Sequence, residues 1–148
     1  MCTKMTHMPA RNVDIYKQVL ADFGERGVDG ALEHFADDVE AYDPDLPGGG
    51  GFRGHEAVRK LLEELLKGVE AVEVRGFDLL PAGDRVVGLI HTYARGDRDR
   101  MEVELRDAHT FTFRDGKVVY WRLYLDQKEA LSDAGLDPTL AEGGRRSA

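Results

Sequence analysis

Residues 102–126 read EVELRDAHTFTFRDGKVVYWRLYLD, and the alternation within this stretch decides the class of the fold. Asp115-Gly116 is the dipeptide of a tight hairpin turn, because both residues tolerate positive φ. On either side, over about 101–114 and 117–126, side chains alternate with period two, as in strands with one buried face. In the first strand Val103, Leu105, Asp107, His109, Phe111 and Phe113 share one face. Glu102, Glu104, Arg106, Ala108, Thr110 and Thr112 share the other. An aspartate and a histidine therefore stand in an otherwise apolar row. A charge is costly to bury alone, so such residues have a partner or a task. Same-face neighbours lie about 7 Å apart, within reach of one ligand or one water. Two readings stand side by side: Asp107 and His109 belong to a functional pocket, or Asp107 is hydrated near a bend and His109 is a satisfied core histidine.

Upstream, two more strand patterns run over about 72–80 and 85–95. The breaks Pro81-Ala-Gly-Asp and Gly96-Asp-Arg-Asp complete a four-stranded antiparallel meander. Before the meander, residues 55–69 carry Val58, Leu61, Leu62, Leu65, Leu66 and Val69 as one helical stripe. Residues 43–54, DPDLPGGGGFRG, are too rich in proline and glycine for regular structure and suit a loop at a pocket mouth. A first helix starts at the capping residue Asn12, with Tyr16, Val19, Leu20 and Phe23 at helical spacing. A second runs over 28–36 with Leu32 and Phe35 inward, until Asp37 and Asp38 break it, and Val39 to Tyr42 follow as a short strand. A last helical turn begins near Gln127. The expected organisation is one domain over 12–134 between a flexible N-terminus (1–11) and a flexible tail (135–148). Helices followed by a meander make an α+β fold, a curved antiparallel sheet wrapped around N-terminal helices, forming a cone with an apolar pocket.

Composition narrows the function. The chain has 148 residues, enough for one domain with a real core, and a formal charge of −8 with no basic stripe. Nucleic acid and anionic membrane are thus disfavoured as partners. The single cysteine, Cys2, excludes a disulfide framework, and the histidines at 7, 34, 55, 91 and 109 make no HxH or HExxH pattern, so no metal site is expected. The glycine run lacks the Gly-Lys-Ser/Thr of a phosphate loop, and no cofactor is expected. No apolar run has the length of a membrane span and the start lacks a signal-peptide core, which makes a cytoplasmic protein the expectation. His91 falls on the outer sheet face and reads as structural or interfacial; His34 and His55 read as solvated.

Three segments carry a resemblance: HFADDVEAYDP at 34–44, GFRGHEAVRKLL at 51–62 and TFTFRDGKVVYWRLYLD at 110–126. Over roughly residues 12–134 the chain resembles the nuclear transport factor 2-like superfamily, in its SnoaL-like and ketosteroid-isomerase-like branch. The resemblance implies the cone fold; its activities range over isomerases, cyclases, epoxide hydrolases, dehydratases and binding modules. It places the general base of the ketosteroid isomerases on Asp43 and their oxyanion-hole acid on His109, a different residue type. Their first-helix tyrosine falls near Val19, with Tyr16 one turn away. The arginine and aspartate that limonene epoxide hydrolases carry on the preceding strand fall near Ile90 and Thr92, their catalytic aspartate falls on Leu123, and the acid of SnoaL-type cyclases falls near Leu123; this chain has none of these residues there.

Together these readings single out Asp43, His109 and Asp107 as catalytic candidates. The walls of the pocket are assigned to Tyr16, Val19, Phe23, Phe35, Phe52, Leu62, Ile90, Phe111, Trp121 and Leu123. Asp43 also has a plain reading as a turn starter before proline. The expected function is cofactor-free acid–base chemistry of an isomerase, cyclase or lyase type on a small hydrophobic carbonyl metabolite. The alternative is a non-catalytic carrier of such a molecule. Val118, Tyr120, Arg122 and Tyr124, with Val87, Leu89, His91 and Tyr93, form an outer sheet face suited to a homodimer interface.

Overall fold

A computed structural model of the chain describes residues 2–45 and 50–141. Its elements are α1 (Cys2–Arg26), α2 (Val28–Leu32), β1 (Phe35–Tyr42), β2 (Gly51–Arg53), α3 (His55–Leu65), β3 (Val69–Ala82), β4 (Arg85–Gly96), β5 (Glu102–Arg114), β6 (Lys117–Tyr124) and α4 (Gln127–Asp133). The strands form one sheet in the order β2-β1-β6-β5-β4-β3. From β3 to β6 it is the expected antiparallel meander. Asp115 and Gly116 turn the last hairpin at φ 53° and 80°, the positive angles a primed turn needs. β1 lies parallel to β6 and antiparallel to β2, so the sheet as a whole is mixed.

The apolar stripes of the helices explain the layering. Tyr16 and Val19 of α1 and Val58 and Leu61 of α3 pack with Phe35, Val39, Val86, Ile90, Phe111 and Trp121 on the sheet's inner face. Near residue 88 this contact becomes so close that a Cβ there would overlap the Tyr16 hydroxyl, so only glycine fits. A smaller core lies on the outer face, where Ala130 and Leu131 of α4 cover Val87, Leu89, Ala108 and Tyr124.

Several sequence expectations are corrected. α1 starts at Cys2, so Asn12 is a buried residue inside the helix and not its cap, and residues 2–11 continue that helix. The second helix ends at Leu32; Phe35 to Asp38 are strand, because the parallel pairing of β1 with β6 outweighs local helical pattern. On β6, Tyr120 pairs with Thr112 but Val118 pairs with Phe113, which leaves Val119 as an extra residue. This bulge reverses the alternation, and Val118, expected on the outer face, is fully buried in the inner core. After α4, Gly135 takes φ 77° and Leu136 N–H donates to the Leu131 carbonyl at 2.8 Å, a glycine-based helix stop. The chain then lays Leu136 and Ala141 on the outer core, so residues 135–141, expected in the tail, are packed. The glycine-rich loop falls in part on residues 46–49, outside the described residues. No helix among the described residues is long and apolar enough to cross a membrane.

Candidate functional site

Between α1, α3 and the inner face of the sheet lies a cavity of about 290 Å³. That is near the lower end of small-molecule pockets. Tyr16, Val19 and Phe23 line it from α1, Leu62 and Leu65 from α3, and Ile90, Phe111, Trp121 and Leu123 from the sheet; Phe35 also reaches it. Polar side chains are few: among the described residues Tyr16, Thr92, Asp107 and His109 are the only lining residues with hydrogen-bonding side chains besides Trp121. The alternation of β5 explains the placement of two of them, since Leu105, Asp107, His109 and Phe111 all face in. Leu20, Leu66, Val72, Val74, Thr92, Ala94 and Leu105 were not anticipated as lining residues. Thr92 could have been found from alternation with Ile90 on β4.

The polar groups are bonded to one another. His109 Nε2 lies 3.2 Å from Asp107 Oδ2, and Trp121 Nε1 lies 3.0 Å from His109 Nδ1. An indole N–H only donates, so Nδ1 accepts and the imidazole is in its Nε2–H form, donating to the aspartate. The two rings lie 28° from parallel with centroids 5.8 Å apart. The second carboxylate oxygen, Asp107 Oδ1, is buried and has no partner among the described residues.

Backbone bonds hold this pair in place. Asp107 stands just past the last β5–β6 pair, Ala108 with Tyr124, so its carbonyl is free to accept from Gln127 Nε2 of α4 at 3.0 Å. The Tyr16 hydroxyl donates to the His109 carbonyl at 2.6 Å. Its one proton is thus committed to the backbone, so in this arrangement Tyr16 does not supply a donor to a ligand. Burial, and secondarily the nearby Asp107 charge, hold its hydroxyl protonated to well above the usual phenol range.

Asp43 and Phe52 are not among the cavity-lining residues. Asp43 is buried where β1 ends; its carboxylate accepts from the Asp45 N–H at 3.0 Å and its own N–H donates to the Gly50 carbonyl at 3.0 Å. That is the geometry of a turn starter. Phe52 packs from β2 onto the inner core. The remaining histidines have other places. His34 Nε2–H donates to Asp22 at 2.6 Å, and His55 Nε2–H donates to the Phe35 carbonyl at 2.6 Å, so neither is simply solvated. His91 is on the outer face beside Glu104 at 3.6 Å. Among the described residues no three His, Cys, Asp or Glu side chains are grouped as a metal would need.

Known proteins bear on this arrangement in three ways. No curated protein matches the chain. Among solved structures, an NTF2-like protein from Burkholderia xenovorans is 29% identical, with 85% of this chain and 96% of that one covered and a TM-score of 0.65. A putative SnoaL-like polyketide cyclase from Jannaschia is 19% identical over 79% and 86% of the two chains, with a TM-score of 0.69. A protein of ketosteroid isomerase-like fold from Catenulispora acidiphila, solved in complex with trimethylamine, is 17% identical over 84% and 94%, with a TM-score of 0.63. At such identities the last two carry the fold alone. Residues 16–121, which span α1 to β6 and include every polar group of the cavity, match the SnoaL-like domain, and the chain belongs to that family.

Proposed function

We propose that this protein performs acid–base chemistry, without a cofactor, on a small hydrophobic carbonyl metabolite held in the inner cavity. The reaction is of an isomerase, cyclase or lyase type. The observation that carries this reading is the Asp107–His109–Trp121 chain set into an otherwise apolar cavity. The carboxylate takes a proton from the carbon beside the substrate carbonyl; the C–H electron pair becomes the C=C bond of an enolate as the carbonyl π pair moves onto oxygen. The same proton, returned from Asp107 to a different carbon of the conjugated enolate as the oxygen pair re-forms the carbonyl, completes an isomerisation. Thr92 has the rotatable hydroxyl able to meet that oxygen, since it lies on the same face of β4 as Ile90, the residue paired with Asp107. The resemblance to SnoaL-type cyclases puts their acid near Leu123, and Leu123 stands directly opposite His109. Here Asp107 brings a carboxylate to the same imidazole from two residues along β5. Asp43, tied into its turn, is left the smaller part of a structural residue in this proposal. The setting is a cytoplasmic protein, and the assembly a homodimer through the outer sheet face.

Deuterium exchange tests the chemistry. The wild type should speed exchange at the carbon beside the carbonyl of 2-tetralone in D2O, followed by NMR. Asp107→Asn should lower that rate by about 100-fold or more, the usual scale for a lost general base. Exchange unchanged in Asp107→Asn would refute the assignment. A second reading, a carrier, is favoured by one observation: both imidazole nitrogens are already bonded inside the protein. Saturable binding of the ketone with no exchange above background would select it.

A further inference from the structure

We infer that Trp121 is a positioning residue that sets the proton arrangement of the cavity, and that Asp107 is thereby left as the one fixed group there that takes a hydrogen bond from a ligand. The inference rests on the cavity being the functional site, as proposed above. Trp121 comes from β6 and its Nε1–H meets His109 Nδ1 at 3.0 Å. Were Nδ1 to carry the proton of the neutral ring, two N–H groups would point at each other, so this contact disfavours the Nδ1–H tautomer. The other neutral form directs Nε2–H at Asp107 Oδ2, 3.2 Å away. The Tyr16 hydroxyl is committed to the His109 carbonyl. Each fixed donor of the cavity is thus bonded to protein, while Asp107 Oδ1 is buried without a hydrogen-bond partner among the described residues. Among the described residues no lysine or arginine lines the cavity to balance the carboxylate. A buried acceptor in that state gains most from a ligand that brings its own donor. The ligand class that follows is a small apolar molecule with an O–H or N–H at one end, such as an enol or a phenol; a bare ether or hydrocarbon of the same shape lacks the group the site is short of.

Long-range proton–nitrogen NMR of the wild-type protein labelled on histidine reads the tautomer directly. The Nε2–H form of His109 is expected in the wild type and also in Asp107→Asn, because Trp121 and not the carboxylate sets it. Trp121→Phe, which removes the N–H, should release His109 into a mixture of forms. An Nδ1–H form in the wild type, or loss of the Nε2–H form in Asp107→Asn, would overturn the inference even if Trp121→Phe failed to fold. For the ligand, 2-naphthol has the shape and O–H of the enol of 2-tetralone, and 2-methoxynaphthalene lacks the donor. The naphthol should bind about tenfold tighter or better, the scale of one hydrogen bond to a charged group. Equal affinity would overturn that half. A locked Nε2–H form without deuterium exchange would leave this inference standing and remove only the catalytic reading.

Discussion

At the scale of single residues, Gly88 and Tyr16 govern the geometry of the site from opposite sides of the core. Gly88 pairs with His109 across β4 and β5, and its missing side chain lets the Tyr16 hydroxyl reach the His109 carbonyl. Gly88→Ala forces the phenol away from that position and should destabilise the protein by about 1–3 kcal/mol, as overpacking does. Removing the hydroxyl as well, in Gly88→Ala with Tyr16→Phe, should cost less than the sum of the two single changes; a double-mutant cycle by chemical denaturation gives the answer. Tyr16 also imposes a pH dependence. Its folded-state pKa is raised, by burial first and by Asp107 second, so its contribution is complete below the unfolded phenol pKa of about 10. Stability should therefore fall as pH rises above about 10, and Tyr16→Phe should show a shallower alkaline decline than the wild type. Parallel alkaline curves would contradict this. Alternation in the sequence placed Asp107 and His109 on one inward face, but left open whether they were bonded or hydrated. Their partners come from other elements: Trp121 from β6 and Gln127 from α4. No local pattern on β5 reveals those bonds.

At the scale of elements, side chains that bridge α1 to the entry of β1 replace the helix that the sequence pattern suggests there. Asp22 of α1 accepts from His34 at 2.6 Å and from Gln18 at 3.1 Å, with Arg26 at 3.5 Å. The hydrogen bond from His34, then that from Gln18, hold the Asp22 carboxyl below its ordinary range. A lowered carboxyl pKa stabilises the fold above the unfolded value of about 4 and ceases to do so as pH falls below it. Asp22→Asn should thus lower the thermal midpoint at neutral pH, and the gap to wild type should narrow below about pH 4. A gap of constant size down to pH 3 would show that the carboxylate charge is not the cause. The meander and its turns were legible because Asp-Gly and period-two alternation are local. The bulge at Val119 was not, since it depends on how β6 registers against Phe113 and Tyr120 against Thr112. Asp43 shows the same limit from the other side: Asp-Pro reads equally as turn or base until the Asp45 N–H is found on its carboxylate.

At the scale of the whole molecule, the described part of the C-terminal segment, up to Ala141, covers only part of the outer sheet face. α4 and residues up to Ala141 cover Val87, Leu89, Ala108 and Tyr124. Tyr124 is held there, its hydroxyl donating to Asp133 at 3.0 Å and its pKa pushed up to about 12 by burial first. Beyond this cover the Arg122 guanidinium lies 5.1 Å from the centre of the Tyr42 ring and 4.7 Å from that of Tyr124. Arg122 Nε, the facing Thr110 Oγ1 and His91 Nε2 are buried without hydrogen-bond partners among the described residues, His91 Nε2 having only Glu104 at 3.6 Å. Aromatic rings around an arginine, with polar atoms still lacking bonds, have the composition of an interface core. Pairing of two such faces about a twofold axis would bury them together. We therefore expect a homodimer mass by light scattering at micromolar concentration. Tyr120→Glu, placed on the part of the face that α4 does not cover, should shift that mass to the monomer and leave 2-naphthol binding in the inner cavity intact. A wild-type monomer would mean that residues 127–141 suffice as the cover of this face, and that Arg122 and its two tyrosines serve the single chain.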